Sequence, residues 1–414
     1  MEFRGYQQDI INQAKHILDK DRFVYLAMEV RTGKTLTSLG ICNTLPACKN
    51  VLFVTKKKAI SSIEADYKLL KPKYNIKVIN YESLHKVSHE TPWNCVVLDE
   101  AHGLGAIPKP SKRALEVKKI ITLHQPYVIL LSGTPTPESY SQMYHQVFAI
   151  PNNPFNKYKN FYRFADDYIT VVEKNIGSVR IRDYSKGSKK ILDAMKPYTL
   201  TFSQKEAGFK VQTNEKILKV DMSDYTYGLA SRLKKDLVVE GKDEVILGDT
   251  PVKLMTKLHQ IYSGTVKFES GNSMVLDYSK AEFIQKYFIG KKIAIFYKFK
   301  EELNALKEVF GDTLTTELSV FKDTNKNIAL QIVSGREGIS LEASQALVYF
   351  NIDFSATSYW QSRDRMTTKQ RLKNNLYWVF AEGGIELQIY KAVVRKKDYT
   401  LNHFKRDLVS LFND

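Results

Sequence analysis

"VVLDEAH" (residues 96–102) is a short apolar run that stops at two carboxylates. Val96, Val97 and Leu98 suit a strand buried on both faces, as in a parallel sheet. Asp99 and Glu100 then stand at the carboxyl end of that strand, where ligands of open α/β sheets bind. An Asp there holds the water shell of a Mg²⁺ ion, and a neighbouring Glu orients and deprotonates an attacking water. Two carboxylates after a core strand also describe an ordinary acidic turn. A second stretch separates the two readings. "AMEVRTGKT" (residues 27–35) lies about 65 residues upstream, a separation that lets both strands share one sheet.

Gly33, Lys34 and Thr35 close a loop between an apolar strand and a helical segment. Backbone N–H groups at such a helix start face an anion. Lys34 reaches the β- and γ-phosphates of a nucleotide, and the Thr35 hydroxyl ligates Mg²⁺. Met28 stands where the general phosphate-loop pattern begins with glycine, so the nucleotide reading rests on Gly33–Lys34–Thr35 taken together with Asp99 and Glu100.

Outward from these two stretches, short apolar runs alternate with helical segments. The runs cover residues 23–28, 51–55, 76–80, 95–100 and 127–134; helical patterns fill 34–42 and 60–70. Strand–helix alternation implies a parallel sheet covered on both faces. The alternation lapses over 152–210, which is rich in Lys, Tyr and Phe. It returns with strands at 291–298, 327–334 and 346–352 and a helix over 301–310. The spacing predicts helices over 220–260 leading into this second α/β region, and a closing helix over 401–414.

Hydrophobic content of 43% and charged content of 26% over 414 residues fit a globular protein of two or three domains. No apolar run is long enough for a membrane span, and the first residues carry no apolar signal region, which predicts neither membrane insertion nor secretion. The three cysteines form no CxxC pair. They predict a reducing compartment, no structural zinc, and three small buried side chains. A net charge of +17 favours a polyanionic partner or a solvated basic surface.

"DEAH" (residues 99–102) with "SGTP" (132–135) resembles motifs II and III of the superfamily-2 helicases and translocases. The resemblance extends over nearly the whole chain. "FRGYQ" (3–7) is similar to the Q-motif, which implies that Gln7 reads adenine. "VLFVTKKKAI" (51–60) and "INYESL" (79–84) resemble motifs Ia and Ib, which imply contacts with the nucleic-acid backbone. "IAIFYKFKEEL" (293–303), "IVSGREGISLEAS" (332–344) and "YWQSRDR" (359–365) resemble motifs IV, V and VI. Within the superfamily the chain is closest to the Swi/Snf-like group, through "SKR" (111–113), Gln361, Asp364 and Arg365, and a connector over 200–233. It resembles a minimal core of viral or bacterial type.

The resemblance implies an α/β fold of two RecA-like parallel-sheet lobes with a mostly helical insertion between them: lobe 1 over 1–150, the insertion over 151–215, and lobe 2 over 216–414. It implies ATP and Mg²⁺ as cofactors, bound between the lobes. Arg31, Thr32, Gly33, Lys34, Thr35, Asp99, Gly338, Gln361, Arg363 and Arg365 are then nucleotide-site residues beside Gln7, and Thr35 and Asp99 hold the metal. Glu100, Lys34 and Arg365 are the catalytic candidates, Arg365 as the finger that meets charge on the γ-phosphate. The family's second arginine is replaced by Thr368, with Arg363 or Arg371 as substitutes. Arg31 replaces the glycine usual in the Swi/Snf-like loop.

Thr55, Lys56, Lys57, Lys298 and Lys300 are the candidate nucleic-acid contacts. "NPFNKYKNFYRF" (153–164) reads either as a base-stacking basic segment or as an amphipathic helix packing Phe155, Tyr158, Phe161 and Tyr162 inward. The expected function is an ATP-dependent DNA translocase or helicase acting on duplex, forked or branched DNA. Its expected tasks are branch migration, fork or R-loop remodelling, or protein displacement, as a monomer in a bacterial or virus-infected cytoplasm alongside replication, recombination or repair proteins. A nucleotide-gated clamp with little hydrolysis, or an RNA helicase, stands as the alternative.

Overall fold

A computed structural model describes residues 2–46, 48–88, 90–176, 179–241, 243–335, 339–368 and 370–394. The chain divides into two compact units, Met1–Phe209 and Lys210–Asp414.

The first unit opens with α1 (Gly5–Asp21), β1 (Phe23–Met28), α2 (Lys34–Thr44), β2 (Asn50–Thr55), α3 (Ile60–Leu70), β3 (Asn75–Asn80), β4 (Cys95–Leu98), α4 (Lys112–His124) and β5 (Tyr127–Leu131). It continues through α5 (Met143–Val147), α6 (Phe161–Tyr168), β6 (Val172–Ile176), β7 (Val179–Asp183), α7 (Lys190–Met195) and β8 (Thr199–Phe202). Among the described residues its sheet runs β3-β2-β4-β5-β1-β8, with every pairing parallel.

Successive side chains of a strand face opposite sides. On β2, Val51 and Phe53 join one core with α1 and α2, while Leu52 and Val54 join the other with α4. Both faces are therefore apolar, and the strand reads as an unbroken hydrophobic run. The expected strands appear within a few residues. The expected strand over 127–134 ends at Leu131, where the chain turns into the SGTP loop.

Strand β8 lies inside the stretch expected as an insertion and forms an edge of the first sheet beside β1. "TLTF" is too short and polar to announce a strand, and it pairs with β1, far back in the sequence. Phe155, Phe161 and Phe164 are buried in the first unit's core, whereas Tyr162 is 45% exposed, so most of the aromatic stretch packs inward and Tyr162 does not.

The second unit contains β9 (Gln212–Val220), α8 (Asp224–Asp236), β10 (Val238–Glu240), β11 (Val245–Leu247), α9 (Pro251–Ile261), β12 (Thr265–Lys267), β13 (Ser273–Val275), α10 (Ser279–Tyr287) and β14 (Ile293–Tyr297). After them come α11 (Lys300–Phe310), β15 (Leu314–Thr315), α12 (Leu318–Asp323), β16 (Asn327–Gln331), α13 (Ile332–Gly335), β17 (Ala346–Tyr349), α14 (Ala356–Ser362), β18 (Lys373–Ala381) and α15 (Glu386–Val394). The described sheet runs β15-β16-β14-β17-β18-β9, again all parallel. The helices expected over 220–260 are α8 and α9, with the β10–β11 hairpin between them. The strand expected over 327–334 ends at Gln331, where Ile332 starts a helical turn. The closing helix expected over 401–414 lies outside the described residues.

Asp277 ties together the starts of α8 and α10. Its carboxylate accepts from the Ser223 N–H (2.8 Å), the Thr226 hydroxyl (2.7 Å), and the N–H (2.8 Å) and hydroxyl (2.6 Å) of Ser279. Burial alone raises its pKa; the bonds from Ser279, Ser223 and Thr226 outweigh burial and bring it down to about 2. A carboxylate depressed in the folded state stabilises fully above its unfolded pKa, and the gain is lost as pH falls through the folded value. Asp277→Asn is therefore expected to lower the urea midpoint at pH 7. The gap to the parent should close between about pH 4 and pH 2. A gap that stays constant through that range removes this role from Asp277.

Candidate functional site

The loop after β1 is held by residues from three parts of the first unit. Thr32 is fully buried and its hydroxyl donates to the Glu29 carbonyl (2.7 Å), so its side chain holds the loop closed. The Tyr6 hydroxyl donates to the Thr32 carbonyl (3.0 Å), and the Tyr6 ring stacks on Phe202 at 4.4 Å. Beyond β8, Gln204 donates its backbone N–H to the Glu29 carboxylate (2.6 Å) and its side-chain amide to the Val30 carbonyl (3.0 Å). The edge strand β8 thus delivers a strap for the loop.

Arg31 has φ 64° and Gly33 has φ 86°. Glycine is the default residue for that left-handed region, which costs other L-residues roughly 1–2 kcal/mol. Arg31 therefore adopts the backbone that a glycine would supply, while carrying a half-buried side chain. Gly33 cannot be replaced so easily: an added Cβ would lie 2.5 Å from Gln7 Nε2. Gln7 is itself buried. Its Oε1 accepts from the Arg4 N–H (3.0 Å), and its Nε2 lies 3.4 Å from both the Gly33 carbonyl and Thr37 Oγ1. The expected adenine reader is thus a brace between the start of α1 and the loop, because both ends of its amide face protein.

Lys34 and Thr35 open α2 behind Gly33, and Lys34 Nζ donates to the Glu29 carbonyl at 3.3 Å. Two strands away, Asp99 follows β4. Its carboxylate accepts from the Thr55 hydroxyl (2.7 Å), and the Tyr81 hydroxyl donates to its backbone carbonyl (2.7 Å). Burial and then the adjacent Glu100 push the Asp99 pKa up to about 6, against the Thr55 hydrogen bond and the Lys34 charge. Lys34 and Asp99 therefore interact electrostatically.

Glu100 also has a positive φ, 50°. Strained backbone of this kind gathers at functional sites. His102 Nδ1 lies 3.3 Å from Glu100 Oε2 and 2.9 Å from Ser132 Oγ, and Ser132 Oγ accepts from the Thr134 N–H (3.1 Å). The DEAH and SGTP stretches are thus joined through one buried imidazole. Gln146 holds the same turn from behind, donating to the Pro135 carbonyl at 2.8 Å. Sequence reasoning missed Tyr6, Tyr81, Gln146 and Gln204. Tyr81 sits in the stretch expected on nucleic acid, but it is buried.

Thr55 was expected on the nucleic-acid backbone; it has no exposed surface, and its hydroxyl is committed to Asp99. Lys57 is exposed and Lys56 half-buried beside it.

In the second unit, Lys298 pairs with Asp353 (2.9 Å) and lies 4.1 Å from the Phe354 ring centre, with only 15% of its side chain exposed. Its expected contact with nucleic acid is thus replaced by an internal ion pair; Lys300 is exposed. Arg363 pairs with Glu215 and packs against the rings of Tyr359 and Trp360. Arg371 donates to the carbonyls of Glu342 (3.1 Å), Ser344 (2.7 Å) and Lys373 (3.1 Å). Both proposed substitutes for the second finger are therefore tied down within their own unit. Arg365 is half-buried and donates to the Gln361 carbonyl (2.9 Å), with the Ile339 carbonyl at 3.5 Å; Gln361 is buried. Gly338 lies outside the described residues.

A model of the SNF2-related domain matches residues 46–264, more than half of the chain. The chain belongs to the SNF2-related family. A second model, that of the Type III restriction enzyme res subunit, matches residues 1–86 and takes in the loop around Lys34. No curated protein matches the chain. Among solved structures, the Sulfolobus solfataricus SWI2/SNF2 ATPase core in complex with dsDNA is 15% identical, with a TM-score of 0.44, covering 95% of this chain and 91% of that one. The core domain from the same organism is 15% identical, with a TM-score of 0.43, covering 96% and 89%. This SNF2-related chain is a nucleic-acid-dependent ATPase.

Thr55→Val separates two roles. If Thr55 orients Asp99, basal ATP hydrolysis falls about tenfold or more with DNA affinity unchanged, the usual size for a residue supporting a metal ligand. Weakened DNA binding with unchanged basal hydrolysis would restore the backbone-contact role.

Proposed function

We propose that this SNF2-related ATPase is a DNA translocase or helicase core that binds ATP with Mg²⁺ at the carboxyl edge of its first sheet. The observation that carries this reading is the meeting of Lys34, Asp99 and Glu100 at that edge, with Asp99 sensing both of the other charges.

The residues present suit a magnesium ion. Burial and then the adjacent Glu100 raise the Asp99 pKa, and a nearby cation offsets both. Thr35 and Asp99 would be the protein ligands, a small set that matches the preference of Mg²⁺ for keeping several waters. When bound, the ion neutralises charge on the β- and γ-phosphate oxygens. Lys34 and the backbone N–H groups opening α2 hold the phosphates. Glu100 accepts the proton of the attacking water, and His102, hydrogen-bonded to Ser132, fixes where Glu100 points. Arg365 is assigned to the γ-phosphate on the family resemblance alone.

DNA is the proposed substrate, with Lys56, Lys57 and Lys300 on its phosphates. The net charge of +17 supports a polyanion, and the family supports DNA. Branch migration, fork or R-loop remodelling, and protein displacement are the tasks proposed for such a core.

Two measurements test this. Glu100→Gln is expected to lower ATP turnover by about 100-fold or more while ATP still binds; parental turnover would remove Glu100 as the base. ATPase rates on single-stranded, duplex, forked and four-way DNA should exceed the rate on RNA. Stimulation by RNA alone would overturn the substrate.

A further inference from the structure

In the stretch 153–164, Phe155, Phe161 and Phe164 are buried and Tyr158 is half-buried, while Tyr162 is 45% exposed. Its place on α6 explains the difference. Phe161, Phe164 and Ala165 form the helix face that enters the core, and Tyr162 and Arg163 fall outside that face. The exposed ring is braced. It meets the Tyr184 ring edge-on, with centres 5.9 Å apart and planes at 67°, and lies 6.2 Å from the Phe161 ring. Tyr184 is itself buried in the first unit's core.

A single exposed apolar side chain is ordinary; the surroundings of this one are not. Lys159 and Arg163 flank it in sequence, and Lys186, Lys189 and Lys190 follow the tyrosine on which it leans, all exposed. Across 157–168 and 184–190, six exposed cations stand against two exposed carboxylates, Asp166 and Asp167. Arg163 approaches Asp166 at 3.6 Å with side chains 75% and 64% exposed, a surface pair of little strength that yields to a phosphate. The segment after Tyr184 is also fastened to the turn that follows SGTP. The Ser139 hydroxyl donates to the Ser185 carbonyl (2.5 Å), and the Ser141 hydroxyl to the Tyr184 carbonyl (2.7 Å). The packing there is close, since a Cβ added to Gly187 would lie 2.6 Å from the Ser141 nitrogen. Movement of the SGTP turn therefore reaches the support of Tyr162.

We propose that Tyr162 and the cations around it form a docking surface for a single-stranded segment of DNA, with an unpaired base stacked on the Tyr162 ring. The proposal rests on the reading of DNA as the substrate and adds to it a contact that tells one strand from two. An aromatic platform in a basic surround suits a single strand, because bases stack on the ring while cations hold the phosphates. The faces of paired bases are covered by their neighbours, so a duplex gains from the cations and not from the ring. Arg163 and Lys159 hold phosphates beside the stacked base, and Lys186, Lys189 and Lys190 extend the track along the strand. The tether through Ser139 and Ser141 places this grip on the same turn that His102 and Ser132 join to Glu100.

Fluorescence anisotropy of the full chain with labelled single-stranded, forked and duplex oligonucleotides tests this. Tyr162→Ala is expected to weaken binding of single-stranded and forked DNA about tenfold or more, and to leave duplex binding within about twofold. Basal ATP hydrolysis without DNA should be unchanged, and Tyr162→Phe, which keeps the ring, should bind as the parent does. Replacing Lys186, Lys189 and Lys190 together by Ala should make the log–log salt dependence of single-strand binding shallower by about 2. A crosslinking arm needs no variant. A single strand carrying iodouracil couples under light to an aromatic ring stacked on it. Cleavage after Lys159 and Arg163 then releases the expected adduct on the peptide of residues 160–163. Three results would each overturn the proposal while DNA as substrate stands: parental single-strand affinity in Tyr162→Ala, equal loss of duplex and single-strand affinity with basal hydrolysis intact, or crosslinks confined to other peptides. A parent chain that binds RNA and no DNA would overturn both.

Discussion

In a parallel sheet every strand ends on the same edge, and the chemistry of the first unit depends on that constraint. Across its order β3-β2-β4-β5-β1-β8, the residues that follow each strand are Tyr81, Lys56, Asp99 with Glu100, Ser132, Glu29 to Lys34, and Ser203 with Gln204. The groups scattered through the first half of the chain therefore form one row. The shared edge brings Lys34 within electrostatic reach of Asp99 and Gln204 onto the loop that contains Arg31.

Having gathered these residues, the fold must hold two of them in backbone conformations they do not favour. Arg31 and Glu100 both have positive φ, each at a cost of order 1 kcal/mol or more. The bonds around them are correspondingly dense. Tyr6, Gln7 and Gln204 reach the loop from two distant segments, and His102 links Glu100 to Ser132. Arg31 answers the sequence puzzle of the missing glycine at the level of backbone: the left-handed turn is kept by support from its neighbours.

The sequence was most legible where burial acts on both faces of a strand. β1, β2, β4 and β5 stand out because each is a nearly continuous apolar run bounded by polar loops. β8 was not legible, because a short edge strand needs little hydrophobicity and owes its place to pairing with a strand far away in sequence. Site residues followed the same division. The positions of Lys34, Asp99 and Glu100 at one sheet edge could be read because they follow from strand ends. Thr55, Lys298 and Arg363 could not, since residue type says what a side chain can bond and leaves open which partner the fold supplies. For Thr55 that partner is Asp99, for Lys298 it is Asp353, and for Arg363 it is Glu215.

The arginines of the second unit show how strongly such pairing limits function. Glu215 accepts from Tyr359, Trp378 and Tyr390 as well as pairing with Arg363, so the guanidinium of Arg363 is one member of a closed polar cluster under aromatic cover. Withdrawing it would leave a carboxylate uncompensated in a mostly buried place, which costs several kcal/mol in comparable pairs, about 3–5. Arg371 is held by three carbonyls that would lose their donor if it moved. Arg365 also donates within its own unit, from Nε to the Gln361 carbonyl, with a terminal nitrogen 3.5 Å from the Ile339 carbonyl. An arginine's place in a motif therefore says what it can bind, while the partners that the fold supplies decide what moving it costs.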